Sequence, residues 1–99
     1  AKATGLDPKQ MIEVVSGGAG GSWQLTNLGP KIVDGDFDPG FMIKLVLKDL
    51  GIVLDAAQTH RLELAATQLA HDTFKQVEQD GGGDLGTQAM AKAVKGAAE

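Results

Sequence analysis

The chain contains no cysteine, which excludes a disulfide framework and a thiolate-bound metal site. Aromatic residues make up only 4% of it. That is too few for the ring platform on which single-stranded nucleic acid stacks. Its 9 basic residues are scattered among 13 acidic ones, for a net charge of −4. Binding a phosphate backbone takes a basic stripe, so nucleic acid is not an expected partner. No signal-peptide pattern opens the chain. The most apolar stretch, Phe41 to Leu54, is interrupted by Lys44, Lys48 and Asp49 and does not read as a membrane span. These absences predict a soluble, cytoplasmic protein with no membrane partner. There is no initiator Met either: Ala1-Lys2-Ala3-Thr4-Gly5 resembles the end of a helix with its glycine cap. The expectation is a fragment of a longer chain.

What is present is a globular composition, 42% hydrophobic over 99 residues. A single domain of this size buries about 60–65% of its unfolded surface, which leaves a modest core. Asp7-Pro8 starts a short helix, with Asp as N-cap and Pro at the first helical position. Met11, Ile12, Val14 and Val15 form its apolar side, and Ser16-Gly17-Gly18 ends it. Ser22 caps a second helix carrying Trp23, Leu25, Leu28 and Ile32, whose middle Pro30 should distort because it lacks a backbone donor. After the Asp34-Gly35-Asp36 turn, Asp38-Pro39 repeats the start signal of Asp7-Pro8. It predicts a third helix over 39–59, about 30 Å long. That helix is apolar on nearly every side, the mark of a buried, central one. A loop at 60–64, a fourth helix over 65–79, a glycine-rich break at 80–84 and a last helix over 87–97 complete the chain. No stretch alternates as a strand does. The fold class expected is all-α with about five helices.

Most candidate motifs have plainer explanations. Gly81, Gly83 and Gly86 fit GxGxxG in spacing, but the dinucleotide fingerprint needs a strand before it and a helix after it. Here a helix precedes it, so a flexible helix–helix linker is the better reading. His60 and His71, eleven residues apart, lack a metal-site spacing, and no metal is expected. Ser16 and Ser22 sit in no nucleophile signature. Glu63, Asp72 and Glu78 have no acid–base geometry.

The stretch Phe41-Met42-Ile43-Lys44-Leu45-Val46-Leu47-Lys48-Asp49-Leu50 is different. Phe41 and Lys48 are seven residues apart, so they project from one face, two turns along the helix. A lysine on an otherwise buried helix needs a partner. The partner is either a local carboxylate such as Asp49, in a structural ion pair, or an anionic ligand from outside the chain. The general physics of buried charges favours the ion pair. Lys44, on nearly the same face, is expected to extend to solvent.

These residues carry a resemblance. Asp36-Phe37-Asp38-Pro39-Gly40-Phe41 followed by Leu45-Val46-Leu47-Lys48-Asp49-Leu50 resembles the DFxPGF…hKDL pattern of β-hydroxyacid dehydrogenases. More closely, it is similar to the C-terminal domain of 3-hydroxyisobutyrate dehydrogenases, tartronate semialdehyde reductases and the related glyoxylate and succinic semialdehyde reductases. Gly5-Leu6-Asp7, Gly21-Ser22-Trp23 and Gly81-Gly82-Gly83-Asp84 extend the likeness along the chain. It departs from the family at 60–64, where His60-Arg61-Leu62-Glu63-Leu64 lacks the Gly and Pro of a GVPLP-like loop.

The resemblance implies that residues 1–99 are a C-terminal helical domain of the 6-phosphogluconate dehydrogenase type, closing over a Rossmann domain that is not in this sequence. It implies an NAD- or NADP-dependent oxidoreductase acting on a small hydroxy acid or its semialdehyde, with most of the cofactor bound by that N-terminal domain. Lys48 would reach the cofactor, Asp49 would orient Lys48 or line the site, and Phe41 would form an apolar wall. This reverses the preference for a structural ion pair at Lys48. No catalytic residue is expected in the chain: the general-acid lysine of a GxxxKxxN-type motif would lie upstream, so the chain alone should be inactive. A homo-oligomer is also implied. The rival expectation is a non-catalytic helical interaction module using the same apolar helix as a docking face; a homologue repurposed for binding is a third.

Overall fold

The computed structural model describes residues 1–94. Four α-helices, α1 (Pro8–Ser16), α2 (Trp23–Val33), α3 (Ile43–Thr59) and α4 (Ala65–Val77), are followed by a π-type turn (Glu78–Gly82) and a 3-10 helix (Thr87–Ala93), and a 3-10 turn (Lys2–Thr4) precedes them. No strand occurs among the described residues; the β pairing is a single antiparallel bridge between Met42 and Gly86. The chain is therefore helical as expected. The fifth helix, however, is wound as a tight 3-10 helix, and the expected end of that helix at Ala97 lies outside the described residues.

The first two helices begin as their sequences dictate. The Asp7 carboxylate accepts the Lys9 N–H (3.1 Å) with Pro8 at the first helical position, and Ser22 Oγ accepts the Leu25 N–H (2.9 Å). Each cap satisfies a donor that the first turn leaves without a partner. The helix α2 runs through Pro30 without a break. The Pro is one turn from the end, and the preceding Gly29 is buried against Ile12 of α1, where a Cβ would come within 3.1 Å of Ile12 Cδ1. Close α1–α2 packing thus holds the helix over the residue expected to distort it. Beyond Val33, Gly35 takes a left-handed conformation (φ 71°), while the Gly35 N–H bonds the Ile32 carbonyl and the Asp36 N–H the Lys31 carbonyl. This double closure is the Schellman end that glycine favours.

The third helix starts four residues later than expected, at Ile43 rather than Pro39. Proline disfavours helical backbone in the residue before it. The Asp36 carboxylate accepts the Asp38 N–H (3.1 Å), closing a turn rather than capping a helix. The segment 37–42 then runs irregularly, and Gly86 and Thr87 donate to the carbonyls of Phe37 (2.9 Å) and Phe41 (3.0 Å).

Nor is α3 enclosed on all sides. Only Ile43, Leu47 and Ala57 of it are buried, whereas Leu45, Ile52 and Val53 are exposed. The core cluster is Ile43, Leu47, Val77 and Ala89, covered by Phe37, Phe74, Leu85 and Ala93. With a radius of gyration of 14.9 Å, the chain is more extended than the roughly 13 Å of a compact domain this long. Its surplus of apolar side chains lies on the surface.

At the end of α3 the Leu62 N–H reaches the Ala57 carbonyl (2.8 Å) and the Arg61 N–H the Gln58 carbonyl (3.2 Å). This is again a Schellman end, but Arg61 (φ 55°) occupies the left-handed position. The family-like glycine missing from 60–64 is thus missing where the backbone favours it. Left-handed backbone costs a side-chain-bearing residue about 1–2 kcal/mol, offset in part by the greater unfolded-state freedom of glycine. Arg61→Gly should therefore raise stability by about 0.5–1 kcal/mol, read as an increase in the urea or thermal midpoint; a decrease would show that the arginine side chain outweighs the backbone.

Candidate functional site

The expected site residues all lie in or just before the first two turns of α3, and the way that helix begins determines how they are presented. Its first N–H groups are not left for a ligand. Ile43 donates to the Leu85 carbonyl (2.9 Å), Lys44 to the Gly83 carbonyl (2.9 Å), and Leu45 and Val46 to the Met42 carbonyl (3.0 and 3.2 Å). The positive end of the helix dipole therefore faces the glycine-rich turn. Asp84 adds a carboxylate there, 2.6 Å from Lys44 Nζ.

Lys44 extends to solvent as expected and pairs there with the exposed Asp84. Another expectation is corrected. The turn at 80–86 is not a loose linker: Gly82 and Gly86 are buried, and a Cβ on Gly82 would lie 2.7 Å from Val77 Cγ1. Rejection of the dinucleotide fingerprint stands, because α4 leads into the turn and the Leu85 and Gly86 N–H groups are already given to the Gly82 and Phe37 carbonyls.

Lys48 is exposed rather than buried, and among the described residues it makes no salt bridge. The local ion pair weighed from sequence is absent there: Asp49 is exposed and makes no salt bridge or side-chain hydrogen bond to it. Within α3 the neighbours of Lys48 three and four residues away are Lys44, Leu45, Gly51 and Ile52. Leu45 and Ile52 are exposed, and nothing lies within 4 Å of where a Cβ on Gly51 would be. On the outward face of α3, Lys48, without a salt-bridge partner among the described residues, thus lies between the exposed Leu45 and Ile52.

Phe41 is 45% exposed and precedes the helix, so the expected two-turn helical spacing to Lys48 does not apply. Its backbone is fixed by Thr87 while its ring is left half open. Two surface depressions lie elsewhere, one at Gly81, Gly82 and Lys92, the other between the end of α3 and the start of α4. Neither includes Phe41, Lys48 or Asp49, all three of which are exposed.

Sequence reasoning missed Gln88. It is 4% exposed, and its Nε2 donates to the carbonyls of Asp38 (2.9 Å) and Asp36 (3.2 Å). Its only signal in the sequence is a polar residue next to the Ala89-Met90 inner face. The histidines stay outside the site. Among the described residues no group of three or more His, Asp or Glu side chains comes together to hold a metal. His71 Nδ1 and Gln68 Nε2 instead meet Asp72 Oδ1 at 3.2 and 2.9 Å.

Residues 1–94 match the protein family described as NAD-binding of NADP-dependent 3-hydroxyisobutyrate dehydrogenase. The chain belongs to that family. It is 44% identical over 91 residues to an uncharacterised oxidoreductase of Synechocystis, covering 92% of this chain and 31% of the relative. With the L-threonate dehydrogenase of Cupriavidus necator it shares 34% identity over 92 residues, 93% of this chain and 31% of that protein. A crystal structure of 3-hydroxyisobutyrate dehydrogenase from Salmonella typhimurium superimposes with a TM-score of 0.89 at 32% identity, covering 95% of this chain and 33% of that one. The chain therefore spans about a third of the length of the relatives it matches.

The family is one of oxidoreductases, and its cofactor is NAD(P). The description ascribes NAD binding to the segment this chain matches. The residues present fit a share of a dinucleotide. Lys48 offers a cation to an anionic or polar group and Leu45 and Ile52 an apolar bed, but the closed start of α3 offers no cradle for a pyrophosphate.

Two outcomes follow. Because Lys48 is exposed and unpaired among the described residues, Lys48→Ala should change the unfolding free energy by less than about 0.5 kcal/mol; a larger loss in urea denaturation would reinstate a structural pair. The hydrogen bonds from His71 and then Gln68 hold the Asp72 carboxyl below the usual carboxylate range. A depressed pKa stabilises the fold above the ordinary carboxylate pKa, and that contribution is lost as pH falls through the folded value. In an NMR titration, Asp72 should titrate at higher pH in His71→Ala than in the wild type; an unchanged midpoint would remove the imidazole as the cause.

Proposed function

We propose that this chain is the C-terminal helical domain of an NAD(P)-dependent dehydrogenase that interconverts a small 3-hydroxy acid, or a glyoxylate-type substrate, with its carbonyl partner. The fold label that goes with this reading is the C-terminal domain of the 6-phosphogluconate dehydrogenase type. The observation that carries the reading is Lys48, a cation without a partner among the described residues, at the centre of an outward apolar strip. The absence of a strand among the described residues supports the C-terminal placement, since a dinucleotide fold of the Rossmann kind is built on a parallel sheet.

In this arrangement the rest of the parent protein lies over α3, and the cofactor is held between the two. Lys48 binds an anionic or polar group of NAD(P) by charge-assisted contact, which strengthens as water is excluded. Leu45 and Ile52 supply the apolar surface that excludes it, and Gly51 leaves room beside them. Phe41 forms one wall next to the substrate, and Asp49 lines the site beside Lys48. The bound nicotinamide supplies or accepts the hydride, and the task of the protein is to hold it against the carbonyl carbon. The proton donor belongs to the part of the parent outside this chain. A homo-oligomer built through this domain is part of the same proposal.

The test is NAD(P)H oxidation by the full-length parent with small semialdehydes, glyoxylate and the related hydroxy acids in reverse. Lys48→Ala should raise KM for the cofactor by about tenfold, the equivalent of about 1.4 kcal/mol, with a smaller effect on kcat, and Lys48→Arg should recover part of it. The 99-residue chain alone should show no turnover. Parent activity with an unchanged cofactor KM in Lys48→Ala would return Lys48 to the surface. No activity with any substrate of the panel would favour a non-catalytic helical docking module.

A further inference from the structure

Between Asp36 and Met42 the chain has almost no regular structure of its own, yet it delivers Phe41 and the first turn of α3. The restraint comes from fifty residues further on. Gly86 N–H bonds the Phe37 carbonyl and Thr87 N–H the Phe41 carbonyl. The Gln88 amide group bonds the Asp36 and Asp38 carbonyls, and Leu85 and Gly83 accept from Ile43 and Lys44. Lys92 lies over the Phe37 ring, 4.6 Å from its centroid.

Gln88 is the only side chain that hydrogen-bonds to the 36–42 backbone from outside it, among the described residues, and one of its –NH2 hydrogens is available for each carbonyl. Its fold-back also explains Gly86. A Cβ there would overlap the Gln88 side-chain amide, with Cδ and Nε2 at 2.8 Å. Gln88 is thus built into the turn, and the glycine two residues before it is shaped to receive it. Gln88 itself is buried, so removing its amide takes away the one side-chain donor that ties the exposed residues Asp36 and Asp38 to the rest of the fold.

We propose that Gln88 is a positioning residue for the cofactor site: its amide sets the 36–42 segment, and through it the placement of Phe41 and of the start of α3 that carries Lys48. This rests on the dehydrogenase reading, but the grip on the segment is measurable without it. Two variants of the full-length parent separate the chemistry. Gln88→Met keeps length without a donor. Gln88→Glu keeps shape but donates only when protonated, and at this buried position beside two carbonyl oxygens the charged form should be disfavoured.

The first readout is amide hydrogen exchange at Ile43, Lys44, Gly86 and Thr87, compared with wild type at each pH; the second is KM for NAD(P)H against kcat. In Gln88→Met the four amides should exchange about tenfold faster and the cofactor KM rise several-fold, with kcat within about twofold. Gln88→Glu should behave like Gln88→Met at about pH 8 and return towards wild type at about pH 5.5, a recovery that mere loss of folding would not give. Unchanged exchange in both variants would overturn the grip. Faster exchange with an unchanged cofactor KM would overturn the link to the site. If the wild-type parent does not turn over, the dehydrogenase reading falls by itself, and the exchange data still decide whether Gln88 holds the segment.

Discussion

The hydrogen-bonded strap from Gly83 to Gln88 across residues 36–44 is the constraint on which the rest depends. It substitutes for a side-chain cap at the start of the longest helix, which has no Ser, Thr, Asp or Asn at its N-cap position: Met42 is there. Two of the four donors that a helix start leaves without a partner are met by main-chain carbonyls of the turn. The same contacts bring the 3-10 helix against α3 and α4, so that Ala89 can complete the Ile43–Leu47–Val77 core. Without the strap there is neither a defined beginning to α3 nor a closed core beneath it.

That strap also explains how one helix can be structural on one side and open on the other. Ile43, Leu47 and Ala57 face inward, whereas Leu45, Lys48 and Ile52 lie on the outward strip. The chain spans about a third of the length of its relatives, and this side of α3 is not covered by any of the described residues. Lys44 and Lys48, one turn apart, have separate fates. Asp84 engages the first, whereas the second has no salt-bridge partner among the described residues.

Much of the helical layout was legible in the sequence, and the exceptions have specific causes. Asp7-Pro8 and Ser22 act as local signals say, because their partners lie within three residues. Asp38-Pro39 is the same dipeptide as Asp7-Pro8, yet it makes a turn, since hydrogen bonds from residues about fifty positions away take over the segment. Pro30 fails to break α2 because Gly29 lets α1 pack tightly beside it. The apolar encirclement of α3 was legible, but composition alone does not bury a helix, and the described residues enclose only Ile43, Leu47 and Ala57 of it. Lys48 was picked out by its sequence context, and its lack of a partner among the described residues is what only coordinates supply. Gln88 was invisible because nothing local distinguishes a glutamine that folds back from one that points to water.

The span of the strap also bears on how the protein is made. Its two sides are separated by some fifty residues, so α1 and α2 can pack on each other as they emerge, whereas the start of α3 must wait. Contacts between distant parts of a chain form late, because the loop between them has to be closed first. During synthesis, with the N-terminal parts folding first, Phe41 and Lys48 leave the ribosome long before Gln88 does. The segment that presents them is therefore among the last parts of this domain to take its final shape.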